Sequence, residues 1–135
     1  MTTRGCSALP SSLRRLLLGK NFIYLATVNA DGSPQVTPTW VDTDGVNVMI
    51  NTAIGRIKTR NVGRDPRVSA AIAPHSDPYT YALIMGRVDE EITGKQAEKH
   101  IDKLSIKYQR KHWKPVPGQK RVILKIRPHR VTFPN

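Results

Sequence analysis

Cationic side chains are concentrated between residues 54 and 67, where they outnumber acidic ones five to one. The acid is Asp65, and the cations are Arg56, Lys58, Arg60, Arg64 and Arg67. The segment follows a predicted strand and opens a predicted short helix, so that cations and free backbone N–H groups can converge on one point. This arrangement is typical of a phosphate site. A solvated basic face is the other interpretation, and the spacing alone favours neither.

The segment from residue 32 to residue 38, GSPQVTP, is the second candidate. Proline cannot donate a hydrogen bond to a β-ladder, so Pro34 and Pro38 are unusual within a strand. If Pro38 interrupts the ladder, the backbone N–H and C=O groups near it become free to bind a planar polar ring. On the residues alone, an edge strand whose prolines oppose aggregation is the favoured interpretation.

A second basic cluster surrounds His112 and Trp113. Its members are Lys107, Arg110, Lys111, Lys114, Lys120 and Arg121. Three interpretations are open: a solvated helix end with Trp113 packed on the protein, the rim of a groove that attracts an anionic ligand, and a nucleic-acid site built on charge and stacking. The first is favoured, and nucleic acid is the least expected partner.

Neither metal binding nor thiol chemistry is expected. The four histidines have no metal-ligand spacing and are predicted to lie on loops or exposed helix faces; they are His75, His100, His112 and His129. The single cysteine, Cys6, excludes an intrachain disulfide. It lies in an N-terminus that we expect to be frayed, without a base that would activate its thiol.

The overall charge also favours anionic ligands. The chain has 22 Lys and Arg against 10 Asp and Glu, which gives a formal net charge of +12. No apolar run approaches the length of about 18 residues that a membrane span needs. Arg14 and Arg15 interrupt the apolar N-terminal stretch, unlike the pattern of a signal peptide. We therefore expect a cytoplasmic protein with no membrane contact.

Alternation of apolar residues predicts the elements that position these side chains. Strands are expected at residues 22–28, 35–41, 46–52, 67–73, 79–89 and 121–127, and helices at residues 9–18, before Pro66 and after Thr93. Thr93 and Gln96 form a predicted capping box for the last helix. The apolar stripe of that helix consists of Ala97, Ile101, Leu104 and Tyr108.

The predicted elements give a mainly β, α+β fold, a six-stranded antiparallel barrel with flanking helices. The first three strands are expected to form a meander, the first of them buried on both faces. The length of 135 residues predicts a single domain. It divides into an N-terminal helical segment at residues 1–19 and the barrel at residues 20–133.

Three blocks of sequence, in a fixed order, carry a resemblance to a known family. They are residues 25–27 with residues 31–40 (DGSPQVTPTW), residues 56–61 (RIKTRN) with residues 64–69 (RDPRVS), and residues 81–82 with Gly86. Over residues 20–132 the chain resembles the pyridoxamine-phosphate-oxidase-like split barrels. More narrowly, it is similar to their flavin and deazaflavin oxidoreductase branch. The blocks are specific as an ordered set, whereas each alone is a weak signal.

The resemblance implies a cofactor site at the first two blocks. A lysine at the position of Lys58, helped by Arg56, holds the cofactor phosphate in such proteins, and Arg60 and Asn61 belong to the same motif. The ring is contacted by the strand that contains Gln35, Val36, Thr37 and Pro38. Asn51 and Thr52, at the end of the neighbouring strand, are expected to face the same cleft.

The resemblance also implies a homodimer. In this family the second subunit commonly supplies aromatic walls, and Tyr79 and Tyr81 occupy the corresponding positions. No catalytic side chain is assigned, and these two tyrosines are the weak candidates for a proton donor.

Two cofactors suit a phosphate site beside a ring slot: FMN and the deazaflavin coenzyme F-420. The phosphate and polyglutamate tail of F-420 suit a chain with two basic clusters, so F-420 is favoured. The expected reaction is hydride transfer from the reduced deazaflavin to an unsaturated small-molecule acceptor. An FMN-dependent oxidoreductase and a non-catalytic flavin- or tetrapyrrole-binding protein are the alternatives. Vitamin B6 oxidation is not expected, because the C-terminal Arg-x-His pattern of true pyridoxamine-phosphate oxidases is missing.

Overall fold

A computed structural model describes residues 2–3 and 8–134 of the chain. The helices are α1 (Ser11–Leu18), α2 (Ile57–Arg64) and α3 (Lys95–Gln109). The strands are β1 (Thr2–Thr3), β2 (Ile23–Val28), β3 (Pro34–Thr39), β4 (Asp42–Thr43), β5 (Val48–Ala53), β6 (Arg67–Ile72), β7 (Ala82–Ile92) and β8 (Arg121–Thr132). Cys6 lies outside the described residues. Within them, no helix has the length and apolar character needed to cross a membrane.

The strands form one antiparallel sheet in the order β3-β2-β6-β7-β8-β5-β4, with β1 paired to β8. The strands at the two ends of this order, β3 and β4, are separated in the chain only by Trp40 and Val41. Such a link spans at most about 11 Å, so the two ends of the sheet must approach each other. The sheet therefore curls into a half-barrel.

Alternate strand residues fill the interior of the half-barrel. Ile23, Ile50 and Leu124 are fully buried there, and α1 closes one end with Leu13 and Leu17. Helix α3 packs on the outside of β5 and β8. Its predicted apolar stripe is confirmed as buried, from Ala97 at 0% exposure to Tyr108 at 6%.

The predicted fold class, a mainly β antiparallel barrel with flanking helices, is confirmed. Six strands have six residues or more, and they correspond to the six strands predicted from the sequence. In the described part of the chain, β1 and β4 add two strands of two residues each. The predicted strand at residues 121–127 is longer in the structure and continues to Thr132.

The prediction of a three-stranded meander is wrong. Strand β5 pairs with β4 and β8 and not with β3. The turn at residues 44–45 does form a hairpin, but it joins β4 to β5. The reason lies at Val41, whose N–H donates to the Tyr108 hydroxyl at 3.1 Å and whose C=O accepts from Lys107 Nζ at 2.7 Å. Because α3 takes both backbone groups, the chain leaves the ladder there.

Two further expectations are corrected. Helix α3 begins after Gly94, which has a φ of 80° and provides no side-chain cap, so Thr93 and Gln96 do not form a capping box. Strand β2 is buried on one face only. Phe22, just before it, and Tyr24 within it are each 52% exposed on the other face.

Gly86 allows β7 and β8 to approach each other at a β-bulge. A Cβ at this position would lie 2.5 Å from the carbonyl oxygen of Arg127, a backbone atom that cannot move aside easily. We predict that Gly86→Ala lowers the free energy of unfolding by about 1–3 kcal/mol, as other overpacked sites do. Urea denaturation measures the change.

Gly63 provides the matched control. It lies within α2, has no positive φ, and a Cβ there would meet nothing within 4 Å. Gly63→Ala should therefore raise the free energy of unfolding by up to about 1 kcal/mol, since alanine favours a helix. Equal effects of the two substitutions would contradict the close approach at Gly86.

Candidate functional site

A cleft of about 460 Å³ opens where the curled sheet brings its two ends together. The end of β3 and the link to β4 form one side, with Pro38, Thr39 and Trp40. The other side consists of Asn51 from β5 and Arg121 from the start of β8. The cleft thus exists because the sheet curls, and it combines residues from five elements and their loops.

Aromatic rings form a continuous wall along the cleft. The Trp40 ring stacks on Tyr108 with centroids 5.2 Å apart and planes 4° from parallel, and Phe22 stacks on the same tyrosine at 5.7 Å. Trp113 meets Trp40 edge-on at 6.2 Å. Such contacts fix ring orientation, so the wall offers a preformed surface for a flat ligand.

Arg121 is the most unusual charge in the cleft, because its exposure is only 5%. Its Nε donates to Asn51 Oδ1 at 3.0 Å, its Nη1 donates to Gln119 Oε1 at 2.9 Å, and its guanidinium lies 5.0 Å from the Trp113 ring centre. All three partners are neutral, and no ion pair of Arg121 occurs within residues 8–134. A buried charge without a counter-charge is unfavourable by several kcal/mol, about 3–5 where it has been measured.

Burial and the nearby Arg56 lower the pKa of Arg121 to about 10, with Glu98 acting in the opposite direction. The guanidinium therefore remains charged at neutral pH. A bound anion would compensate this charge.

Two further cations lie near Arg121. Arg56 lines the cleft as the N-cap residue of α2. The half-buried Lys58 follows in the first turn and is not among the residues that line the cleft. Burial, then repulsion from Arg56 and Arg121, lowers the pKa of Lys58 below its ordinary value. No side chain caps the start of α2. Arg56 and Arg121 thus face the cleft near the positive end of a helix, and Lys58 is close enough for both to repel its charge. This is a favourable environment for a phosphate.

The other cations of the 54–67 segment have separate surroundings. Arg64 donates to the Val28 carbonyl oxygen at 3.3 Å, and Arg67 forms an ion pair with Asp65 at 2.7 Å. Arg60 is exposed on α2 and does not line the cleft. The basic segment is therefore divided between the cleft, the strand β2 and the solvent.

Of Asn51, Thr52 and Asn61, which are also predicted site residues, one lines the cleft and the other two are buried outside its lining. Asn51 lines the cleft, whereas Thr52 has only 2% exposure and does not line it. Thr52 Oγ1 has no hydrogen-bond partner among the described residues. Asn61 is buried and donates through Nδ2 to Thr27 Oγ1 at 3.0 Å and to Asn29 Oδ1 at 2.9 Å, which ties α2 to the end of β2.

Strand β3 meets the cleft only at its end. Pro38 lines the cleft, but Gln35, Val36 and Thr37 lie further back along the strand and do not. The idea that Pro38 interrupts the ladder is wrong, since β3 pairs with β2 without a break from Pro34 to Thr39. The prolines are accommodated because β3 is an edge strand, the interpretation that the residues alone favoured.

The two predicted tyrosines lie away from this cleft. Tyr81 lines a second, apolar cavity of about 350 Å³ that shares Phe22 and Tyr24 with the first. Tyr79 is 77% exposed and lines neither. A role in the cleft of a second subunit stays a prediction for both.

Several cleft residues are not predicted from the sequence. Trp40, Trp113 and Arg121 line the cleft but are not among the predicted site residues, although the last two belong to the second basic cluster. Arg121 differs from the exposed lysines of that cluster in being buried, and the spacing of charges in a sequence does not show which of them are buried.

The prediction that His100 is exposed is wrong, since its exposure is 8% and it contacts Asp42 and Asn51. Among the described residues, no three metal-ligating side chains are grouped.

Comparison with known proteins agrees with this architecture. The family model of pyridoxamine 5'-phosphate oxidase matches residues 9–134. The chain belongs to the pyridoxamine 5'-phosphate oxidase family. The resemblance inferred from the sequence blocks is thereby confirmed, as is the split-barrel fold that it implied.

Several solved structures superpose well on the chain. An F-420 reductase is 28% identical, with a TM-score of 0.80 over 92% of this chain and 98% of the reductase. A conserved hypothetical protein from Mycobacterium tuberculosis is 21% identical, with a TM-score of 0.73 over 97% and 88% of the two chains. HupZ from Group A Streptococcus is 17% identical, with a TM-score of 0.67 over 91% and 92%. The chain thus has a flavin-type oxidoreductase fold.

The uncompensated charge of Arg121 predicts stabilisation by inorganic phosphate. At ten times its Kd, an anion that binds only the folded protein adds about 1.4 kcal/mol to the free energy of unfolding. For a chain of this size the Tm should rise by roughly 3–6 °C over chloride at equal ionic strength. Arg121→Gln should remove most of this rise, because glutamine keeps hydrogen-bonding capacity but not the charge.

Lys120→Gln is the control, since it removes the same formal charge from the exposed neighbouring residue. Differential scanning fluorimetry in phosphate and chloride compares the three proteins. A rise in Tm that is the same in all three would show that phosphate acts on the general positive surface and not at Arg121.

Proposed function

We propose that this chain binds coenzyme F-420 and transfers a hydride from its reduced deazaflavin to an unsaturated small-molecule acceptor. The observation that carries the proposal is the buried guanidinium of Arg121, which lines an aromatic cleft and forms no ion pair with an acidic side chain of residues 8–134. Family membership and the likeness to an F-420 reductase support a flavin-type cofactor.

The residues of the cleft suit the two halves of such a cofactor. Arg56, Lys58 and Arg121 provide positive charge for a phosphate. Trp40 and Trp113, which meet edge-on, provide apolar surface beside which a tricyclic ring can lie. The cleft therefore matches a ligand that is anionic at one end and aromatic at the other.

The protein's contribution to the reaction is binding and orientation. When bound, the reduced deazaflavin supplies two electrons and a proton as a hydride to one carbon of the acceptor's double bond. The other carbon of that bond takes a proton from water or from a side chain. Tyr79 and Tyr81 are the proposed donors, on the condition that a second subunit brings them to the cleft.

FMN is the alternative cofactor, and the family to which the chain belongs supports it. The net charge of +12 favours F-420, whose tail carries several carboxylates in addition to the phosphate. The exposed cations Lys111 and Lys114 follow α3 near Trp113 and are suitably placed to attract such a tail. A flavin- or tetrapyrrole-binding protein without catalysis would use the same cleft.

Lys58→Ala tests the proposed phosphate contact. A charge-assisted hydrogen bond contributes about 1.5–3 kcal/mol, so the substitution should weaken cofactor binding by about ten- to a hundredfold. Fluorescence titration with F-420 and with FMN measures both affinities in wild type and variant. F-420 should bind wild type more tightly than FMN.

Lys99→Ala, on the exposed side of α3, removes one charge without altering the cleft and should leave both affinities unchanged. Tighter binding of FMN than of F-420 would make FMN the native cofactor. Failure of wild type to bind either cofactor, or wild-type affinity in Lys58→Ala, would refute the proposed site.

We further propose a homodimer that forms through the outer face of the sheet. Two rows of neighbouring residues run across β3, β2, β6 and β7 on this face: Pro38, Tyr24, Ala71 and Leu83, and then Val36, Ala26, Ser69 and Met85. The rows are mostly apolar, and their large side chains are 39–62% exposed. Pro38 and Tyr24 also line the cleft, so a second copy on this face would extend the cleft wall.

Met85→Glu tests the dimer. Sedimentation of wild type at micromolar concentration should give twice the chain mass of 15.1 kDa, and the variant should sediment as a monomer, because a charge would be buried at the interface. Ile106→Glu, at an equally exposed apolar position on α3, is the control and should remain dimeric. A monomeric wild type would exclude the dimer.

A further inference from the structure

A buried chain of hydrogen bonds leads from Asp42 on β4 to the cleft. Asp42 Oδ2 lies 3.1 Å from His100 Nε2, and His100 Nδ1 lies 3.1 Å from Asn51 Nδ2. Asn51 Oδ1 then accepts from Arg121 Nε at 3.0 Å. All four side chains have 8% exposure or less, and three different strands and α3 contribute them.

The direction of each hydrogen bond in this chain is determined by chemistry. A guanidinium has only donors, so the Asn51 atom that faces Arg121 is the oxygen. The amide nitrogen of Asn51 consequently faces the Ala97 carbonyl oxygen at 3.0 Å, which can only accept. The contacts at the oxygen and at the nitrogen of the amide therefore require the same orientation. The reverse orientation would place two oxygen atoms together at Ala97 and two N–H donors together at Arg121.

The orientation of Asn51 determines the tautomer of His100. Since Asn51 Nδ2 carries a hydrogen toward His100 Nδ1, this ring nitrogen must offer its lone pair. In a neutral ring the proton is then on Nε2, which donates to the Asp42 carboxylate. The geometry therefore gives the ring one hydrogen-bonding direction, with Nδ1 accepting from Asn51 and Nε2 donating to Asp42.

Asp42 is a suitable anchor because it is ionised. Burial alone would raise the pKa of its carboxyl, but hydrogen bonds from His100 and Lys103 outweigh burial and hold that pKa below its ordinary value. Lys103 Nζ donates at 3.0 Å from a side chain that is 68% exposed. The carboxylate thus has a solvent-side partner and a buried partner.

The geometry points to a positioning relay, in which Asp42 fixes the tautomer of His100, His100 fixes the amide of Asn51, and Asn51 fixes the guanidinium of Arg121. Nε and Nη1 of Arg121 are bound to Asn51 and Gln119, and Nη2 has no partner among the side chains and backbone groups that the structure describes. The relay holds this free edge toward an anionic group of the ligand, a phosphate or a carboxylate. This inference rests on the proposed function for the identity of the ligand, but the relay itself does not.

The first test is made on the free protein, so that it is independent of any cofactor. Nitrogen-15 NMR of the histidine rings, with His100 assigned by its absence in His100→Gln, should show Nε2 protonated and Nδ1 unprotonated. The Arg121 Nε–H signal should be observable and protected from exchange. A His100 that is doubly protonated, or protonated on Nδ1, would overturn the relay in wild type alone, whether or not any variant folds.

The second test compares two substitutions of His100. Glutamine keeps an acceptor for Asn51 and a donor for Asp42, whereas leucine keeps neither. His100→Leu should abolish protection of the Arg121 Nε–H and weaken binding of inorganic phosphate and of FMN by about tenfold, the value of one charge-assisted hydrogen bond. His100→Gln should restore the signal and remain within about threefold of wild type, a change below 1 kcal/mol.

Lys103→Ala is the matched control, because it removes the other partner of Asp42 without interrupting the relay. It should leave the Arg121 signal and the phosphate affinity unchanged. Unchanged phosphate affinity in His100→Leu, or equal losses in the leucine and glutamine variants, would overturn the positioning role. If wild type binds neither phosphate nor FMN, the proposed function fails, and the NMR signals still decide whether the relay exists.

Discussion

The backbone of Val41 is the point on which the cleft depends. Its N–H donates to the hydroxyl of Tyr108, and its C=O accepts from the ammonium of Lys107. Two consecutive residues of α3 thus hold the short link between β3 and β4. Lys107 also donates to the Leu17 carbonyl oxygen at 2.7 Å, which connects the end of α1 to the same place. Without this attachment, the chain after Thr39 would have no reason to leave its ladder, and the two ends of the sheet would not meet.

The same attachment brings aromatic and charged residues together. Tyr108 supports Val41 through its hydroxyl and stacks against Trp40 through its ring, so the closure of the sheet and the wall of the cleft share one side chain. Arg121 begins the strand that pairs with β5, and its burial follows from that pairing. The charge is buried because the fold requires β8 to start there, and the neutral partners around it leave its charge available to a ligand.

The fold was largely predictable from the sequence, whereas the site was predictable only in part. Periodicity placed the strands and helices because apolar side chains must alternate where one face is buried. It could not show that β5 pairs with β8, since that pairing depends on Val41 and on residues of α3 far away in the chain. Arg56 and Lys58 are recognisable as candidates because they lie two residues apart, near a helix start. Arg121 and His100 are not, because burial of a polar residue depends on partners such as Asn51 that are distant in sequence.

Strand β3 also limits how another strand can pair with the edge of this sheet. Since a proline has no N–H to offer, Pro34 and Pro38 must turn their nitrogen atoms away from β2, and alternation gives Val36 the same direction. Of the three outward-facing backbone nitrogen atoms, only that of Val36 carries a hydrogen. An incoming strand would thus find one N–H donor where a regular edge strand offers three. Addition of a further strand to the sheet is therefore disfavoured at this edge.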